Sequence, residues 1–227
     1  MPSIAATLAS LLTAGTMLIS GSLDAAAPQN NDEGLLFLVN RQWMVSQYYS
    51  PVLRKAEVPG QLQSMREDAS YALEEMYAAC AAETGKTLNA VSGYRSYAKQ
   101  QRLYNNKLKS VNYKTAKADE YVARPGASEH HLGMAMDVGQ KNTTNLTQSF
   151  GSTAGGKWVR ENCWRFGFVL RYEENWEAIT GYKFEPWHVR YVGKEIAARI
   201  HDDPMPLETF LLKYREQVLL DLFIKED

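Results

Sequence analysis

The chain has 227 residues, 45% of them hydrophobic and 22% charged, with a formal net charge of -1. That length and apolar content suit one globular domain with a full core. The near-neutral balance, with no dense block of Lys and Arg, excludes nucleic acid as a bulk partner.

In chain order, Met1 to Ser22 carries no charged side chain and holds an apolar run from Ile4 to Ile19, followed by Ala25-Ala26-Ala27. Residues 1–27 therefore read as a signal peptide with an A-x-A cleavage motif or as an N-terminal membrane anchor, and 28–227 as the folded unit. An extracytoplasmic location is expected, whether secreted, periplasmic or membrane-anchored at the cell surface. Leu35 to Pro51 is expected to be extended. Gln61 to Gly85 reads as a helix, because Leu62, Met65, Ala69, Leu73, Met76 and Cys80 recur at three- and four-residue steps and Gly85 supplies a stop. Thr87 to Ser92 reads as a strand, and Ser96 can cap a helix running to about Lys109. Val111 to Pro125 is expected to be irregular, Met134 to Val138 a short strand, and Lys141 to Gly156 a loop. Asn142-Thr143-Thr144 and Asn145-Leu146-Thr147 fit the glycosylation sequon but read as accidental polar composition. Trp158 to Phe166 is predicted helical, Phe168 to Tyr172 and Trp187 to Val192 strands, and Lys194 to Ile200 and Leu207 to Leu220 helices. There is no internal repeat and no linker, and this irregular mixture points to an α+β fold. Cys80 and Cys163 are the only cysteines; sequence leaves open whether they form a disulfide or stay as buried thiols.

Three short segments place reactive side chains beside turn-forming residues: Ser92-Gly93-Tyr94-Arg95-Ser96, Ser128 to Asp137, and Glu185-Pro186-Trp187-His188. A catalytic zinc site needs three protein ligands and one open position. Of the four histidines, His130, His131, His188 and His201, the best candidates are His130 and His188, with Asp137 as the oxygen ligand. In an unbroken strand, residues seven apart point to opposite faces, so His130 and Asp137 can share a metal only if the chain bends, and Gly133 permits a bend. Glu185 and His188 have the same parity problem, which Pro186 relieves by ending regular pairing before the strand. On spacing alone, Asp137 as a turn or ion-pair residue and the histidines as ordinary polar groups remain open. The later Glu-x-x-His strengthens the metal reading, because a metallopeptidase needs a carboxylate that can take a proton from zinc-activated water. His131, next to a ligand, is expected to point away from the metal, and His201 to be a solvated helix end.

Together these segments resemble the VanY-type D-alanyl-D-alanine carboxypeptidase family of LAS-type zinc peptidases. The family's S-x-H-x-x-G-x-A-x-D pattern is matched by Ser128, His130, Gly133, Ala135 and Asp137, its E-x-W-H by Glu185, Trp187 and His188, and its S-G-Y-R-S by Ser92 to Ser96. Gln100 and Tyr104 follow at family-like spacing, and the likeness runs from about Leu38 to the helix after Leu207. The resemblance implies a single α+β domain with a small, mostly antiparallel sheet flanked by helices, the LAS/hedgehog-like zinc peptidase fold. It implies one Zn2+ per chain on His130, Asp137 and His188, with Glu185 as general base. Arg95 would anchor the substrate's carboxylate or polarise its carbonyl, with Ser128 bonding the same end; Gln100 and Trp187 are further candidates for substrate contact, with helix packing and core packing as their alternatives. The implied activity is removal of the terminal D-alanine from peptidoglycan stem peptides. Separately from the resemblance, a monomer is expected, with membrane association through the N-terminal segment. An L,D-carboxypeptidase acting on tetrapeptide stems would use the same ligands and base. A non-catalytic wall-binding module stapled by zinc is the rival from another class.

Overall fold

The computed structural model describes residues 32–141 and 145–224. The expected leader over residues 1–27 and the tripeptide Asn142-Thr143-Thr144 lie outside them. A 3-10 turn over Asp32–Leu36 precedes β1 (Arg54–Lys55), β2 (Ser64–Met65), α1 (Glu67–Thr84), β3 (Leu88–Ser92), α2 (Tyr97–Ser110) and α3 (Thr115–Asp119). A second 3-10 turn, Glu129–Leu132, leads into β4 (Ala135–Gln140), and a third, Gln148–Ser152, into α4 (Ala154–Asn162). After the turn Cys163–Phe166 come β5 (Phe168–Leu170), α5 (Glu177–Thr180), β6 (His188–Tyr191), α6 (Lys194–Asp202) and α7 (Leu207–Ile224). β1 and β2 pair with each other, while β3, β4, β6 and β5 form a sheet in that order, every pairing antiparallel. Helices and a small antiparallel sheet therefore share one α+β arrangement, as the sequence leads one to expect.

Strand alternation gives the sheet two different faces. Met136 and Val138 of β4, Val189 of β6, and Phe168 and Leu170 of β5 enter the main core with Leu73, Met76 and Cys80 of α1. The intervening positions, Asp137, His188 and Arg190, fall on the other face and are just as buried. Register then brings chemistry together: Asp137 lies directly opposite His188 on one side and Ser92 on the other. A second cluster, including Val192, Ala197, Ile200, Leu207 and Phe210, seats α6 and α7.

Several boundaries differ from the periodicity reading. The helix expected from Gln61 begins only at Glu67, because Ser64 and Met65 pair with Lys55 and Arg54, and the Arg66 amide donates to the Gly133 carbonyl at 2.8 Å. Leu62, counted in the apolar stripe, is 73% exposed. Leu35 to Pro51 is not a plain extended segment. It opens in a 3-10 turn, then folds Val39 and Val45 onto Leu132 and Met134. A short α3 occupies part of the stretch expected to be irregular; Asp119 at its end is held by Tyr104 and Arg124. Helix α4 starts inside the expected loop, where the Thr153 hydroxyl accepts from the Gly156 amide at 3.0 Å. The Ser96 cap forms as expected, accepting from the Lys99 amide. Cys80 and Cys163 are buried free thiols, so the disulfide alternative is not realised.

Candidate metal centre

The turn Glu129–Leu132 and the strand β4 are joined at Gly133, whose φ of 68° is the left-handed conformation a glycine adopts without strain. This bend removes the parity conflict between His130 and Asp137. The strand pairing of Asp137 with His188 supplies the third group. His130, Asp137 and His188 each offer a donor atom within 4.8 Å of the others, and all three are buried. It is the one such cluster of three or more among the described residues.

Each ring is oriented from behind. His130 Nδ1 lies 2.8 Å from the Gly93 carbonyl, which can only accept, so Nε2 is left facing Asp137 Oδ2 at 3.3 Å. His188 presents Nδ1 to Asp137 Oδ1 at 3.2 Å, and its Nε2 lies 3.2 Å from Glu129 Oε2. Two imidazoles and one carboxylate, with no fourth donor converging on them among the described residues, are the donor set of a zinc site with an open position. The residues present fit zinc.

The buried charges of this cluster act on one another at close range. Burial works against ionised Asp137, but the imidazoles of His130 and His188 overcome it and hold the carboxyl well below its usual range. Burial and the Arg95 guanidinium push His130 down to about 4. For His188, burial is outweighed by hydrogen bonds to Asp137 and Glu129, which raise it to about 9. Both ring nitrogens of His188 face carboxylates, so a cation must compete with a proton for its place on the ring. Glu185 is pushed up to about 8, chiefly by burial and further by Asp137, with His188 and Arg95 opposing.

The three donors open onto a cleft of about 680 Å³, lined also by Arg95, Ser128, Tyr172, Tyr182, Glu185 and Trp187. Glu185 precedes β6, as Pro186 suggests, and its Oε2 stands 3.9 Å from His188 Nδ1. Arg95 reaches Asp137 at 3.3 Å and Ser92 at 3.1 Å through Nη2, while its buried Nε has no partner. Trp187 both lines the cleft and packs on the core. Gln100, expected to touch substrate, does not line the cleft. It is fully buried, accepting from Arg95 Nη1 at 2.8 Å and donating to the Ala123 carbonyl, so it positions Arg95. His131 points away from the cluster, as expected: its Nδ1 donates to the Arg95 carbonyl and its Nε2 accepts from the Gly126 amide. His201 is exposed and stacks on Trp164 with ring centres 4.3 Å apart.

Sequence reasoning overlooked Glu129, Arg171 and Arg190, all buried beneath His188. The available signal was an arginine in each of two apolar strand segments, Phe168-Val169-Leu170-Arg171 and Val189-Arg190-Tyr191-Val192, since a buried guanidinium needs a buried carboxylate.

Comparison with known proteins agrees with this geometry. The family VanY, D-alanyl-D-alanine carboxypeptidase, matches residues 62–194. A D-alanyl-D-alanine carboxypeptidase of Enterococcus faecalis is 36% identical over 199 residues, covering 82% of this chain and 70% of the relative. The solved LdcB LD-carboxypeptidase superimposes with a TM-score of 0.73 at 42% identity, covering 78% of this chain and 86% of that one. The vancomycin resistance D,D-pentapeptidase VanY, solved as a mutant in complex with Zn(II), gives 0.66 at 34% identity, with 78% and 98% covered.

Proposed function

Because the chain belongs to the VanY D-alanyl-D-alanine carboxypeptidase family, we propose that it hydrolyses the last peptide bond of peptidoglycan stem peptides, releasing the carboxy-terminal D-alanine of pentapeptides. The observation that carries this reading is Glu185, held 3.9 Å from a nitrogen of the His130–Asp137–His188 cluster in a cleft shared with Arg95. Zinc on that cluster would supply a Lewis acid and make a water nucleophilic near neutral pH. Arg95, whose guanidinium fork suits two carboxylate oxygens, receives the substrate's terminal carboxylate, and Ser128 donates to the same end. Glu185 takes a proton from the water that attacks the scissile carbonyl. It then delivers that proton to the departing amine as the C–N bond breaks. Trp187 walls the pocket. We place the reaction outside the cytoplasm; the apolar run in residues 1–27 and the location of wall peptides support this.

The likeness to an LD-carboxypeptidase at 42% identity favours a second reading, in which the same machinery trims tetrapeptide stems. Purified protein incubated with pentapeptide and tetrapeptide stems separates the two by which one loses its last residue. In either reading Glu185→Gln should lower turnover by at least about 100-fold, the usual scale for a lost general base, with zinc content unchanged. A zinc-stapled wall binder would release no D-alanine from any stem and would keep its behaviour in Glu185→Gln.

A further inference from the structure

Beneath His188 lies a set of charges that the chemistry above does not use. One oxygen of Glu129 accepts from Arg171 Nε at 2.8 Å and Arg190 Nη1 at 2.9 Å, and the other faces His188 Nε2 at 3.2 Å. Arg171 turns both remaining nitrogens to Glu208 in the first turn of α7, Nη1 at 2.9 Å from Oε2. Arg190 anchors its Nη2 on the carbonyls of Leu35 and Phe37. Two guanidiniums and two carboxylates thus compensate one another, three of them shut off from water and only Glu208 partly exposed.

Such a network has a geometric consequence for the ring above it. A carboxylate only accepts, so the His188 nitrogen that faces Glu129 carries hydrogen, and the lone pair offered to a cation is that of Nδ1, on the side of Asp137. The two arginines clamp the other oxygen of Glu129, so the carboxylate cannot rotate away from the ring. We infer that Glu129 is a positioning residue for the metal: it fixes the tautomer and rotation of His188, and the Arg171–Arg190–Glu208 network locks Glu129 and ties that ligand to α7. This rests on the reading of the cluster as a zinc site.

The test begins with the unaltered full chain, labelled with 15N-histidine and loaded with zinc. His188 should show a protonated Nε2 and a metal-shifted Nδ1; Nε2 on the metal would overturn the inference. Zinc competition against a chromophoric chelator should then show Glu129→Gln binding roughly 10- to 100-fold more weakly, with an altered visible spectrum when cobalt replaces zinc. Glu208→Gln, which leaves Glu129 in place, should weaken binding less. A folded Glu129→Gln with unchanged affinity and spectrum sinks the proposal; if that variant does not fold, the nitrogen assignment in the unaltered chain decides alone. An unaltered chain that takes up no zinc overturns the functional reading and this inference together. A zinc-loaded chain with the wrong nitrogen on the metal overturns only the inference.

Discussion

His188 and Glu185 both bind protons more tightly in the metal-free fold than in an unfolded chain, with values of about 9 against 6.5 and about 8 against 4.5. The contribution of His188 to stability is therefore present below pH 6.5 and is lost as pH rises through 9. The burial cost of Glu185 builds from pH 4.5 to 8. Both effects make the metal-free protein less stable as pH rises. A cation on Nδ1 must displace the His188 proton, so zinc affinity should climb with pH, up to about tenfold per unit for each proton released. Calorimetry in buffers of different ionisation enthalpy should register at least one proton released at pH 7. Buffer-independent heats would mean that His188 is already neutral in the empty site.

At the scale of elements, one bend decides whether the ligands meet. A Cβ on Gly133 would come within 2.8 Å of Leu53 Cδ2 and 3.1 Å of the Arg66 amide nitrogen, and alanine resists a φ of 68°. The left-handed conformation alone costs alanine about 1–2 kcal/mol, and the close contacts add to it. Gly133→Ala should therefore lower the urea midpoint and weaken zinc binding together, because the same backbone swings His130 toward Asp137. A variant that loses stability but keeps full zinc affinity would show that the turn Glu129–Leu132 holds His130 without help from the bend. The start of α1 depends on the same place, since the Arg66 amide donates to the Gly133 carbonyl. This is why helical periodicity from Gln61 did not mark the helix start.

Across the whole molecule, two metal donors come from adjoining segments, the turn Glu129–Leu132 and β4, the third lies 51 residues beyond Asp137 on β6, and the buried ion network reaches α7. Zinc should then act as a global staple. At a hundredfold excess over its dissociation constant it should add about 2.7 kcal/mol, or about 5–10 °C in Tm for a domain of this size. Scanning calorimetry with and without a chelator checks this, and an unchanged midpoint would confine the metal's influence to the cleft.

Much of the site could be read in the sequence because its chemistry is local. His130, Asp137, His188 and Glu185 are reactive groups set beside Gly133 and Pro186, and parity arithmetic already demanded a bend at one and a broken strand at the other. Apolar periodicity likewise marked α2, the core strands and the end of α1 to within a few residues, though not the start of α1. Only the tertiary structure decided which polar neighbours of the ligands face which way. It set Asp137 opposite His188 through strand register, and it turned Gln100 into a support for Arg95. It also paired Glu129 with arginines 42 and 61 residues away. Such partners leave no periodic trace, because register and buried charge compensation are settled between segments that meet only when the chain has folded.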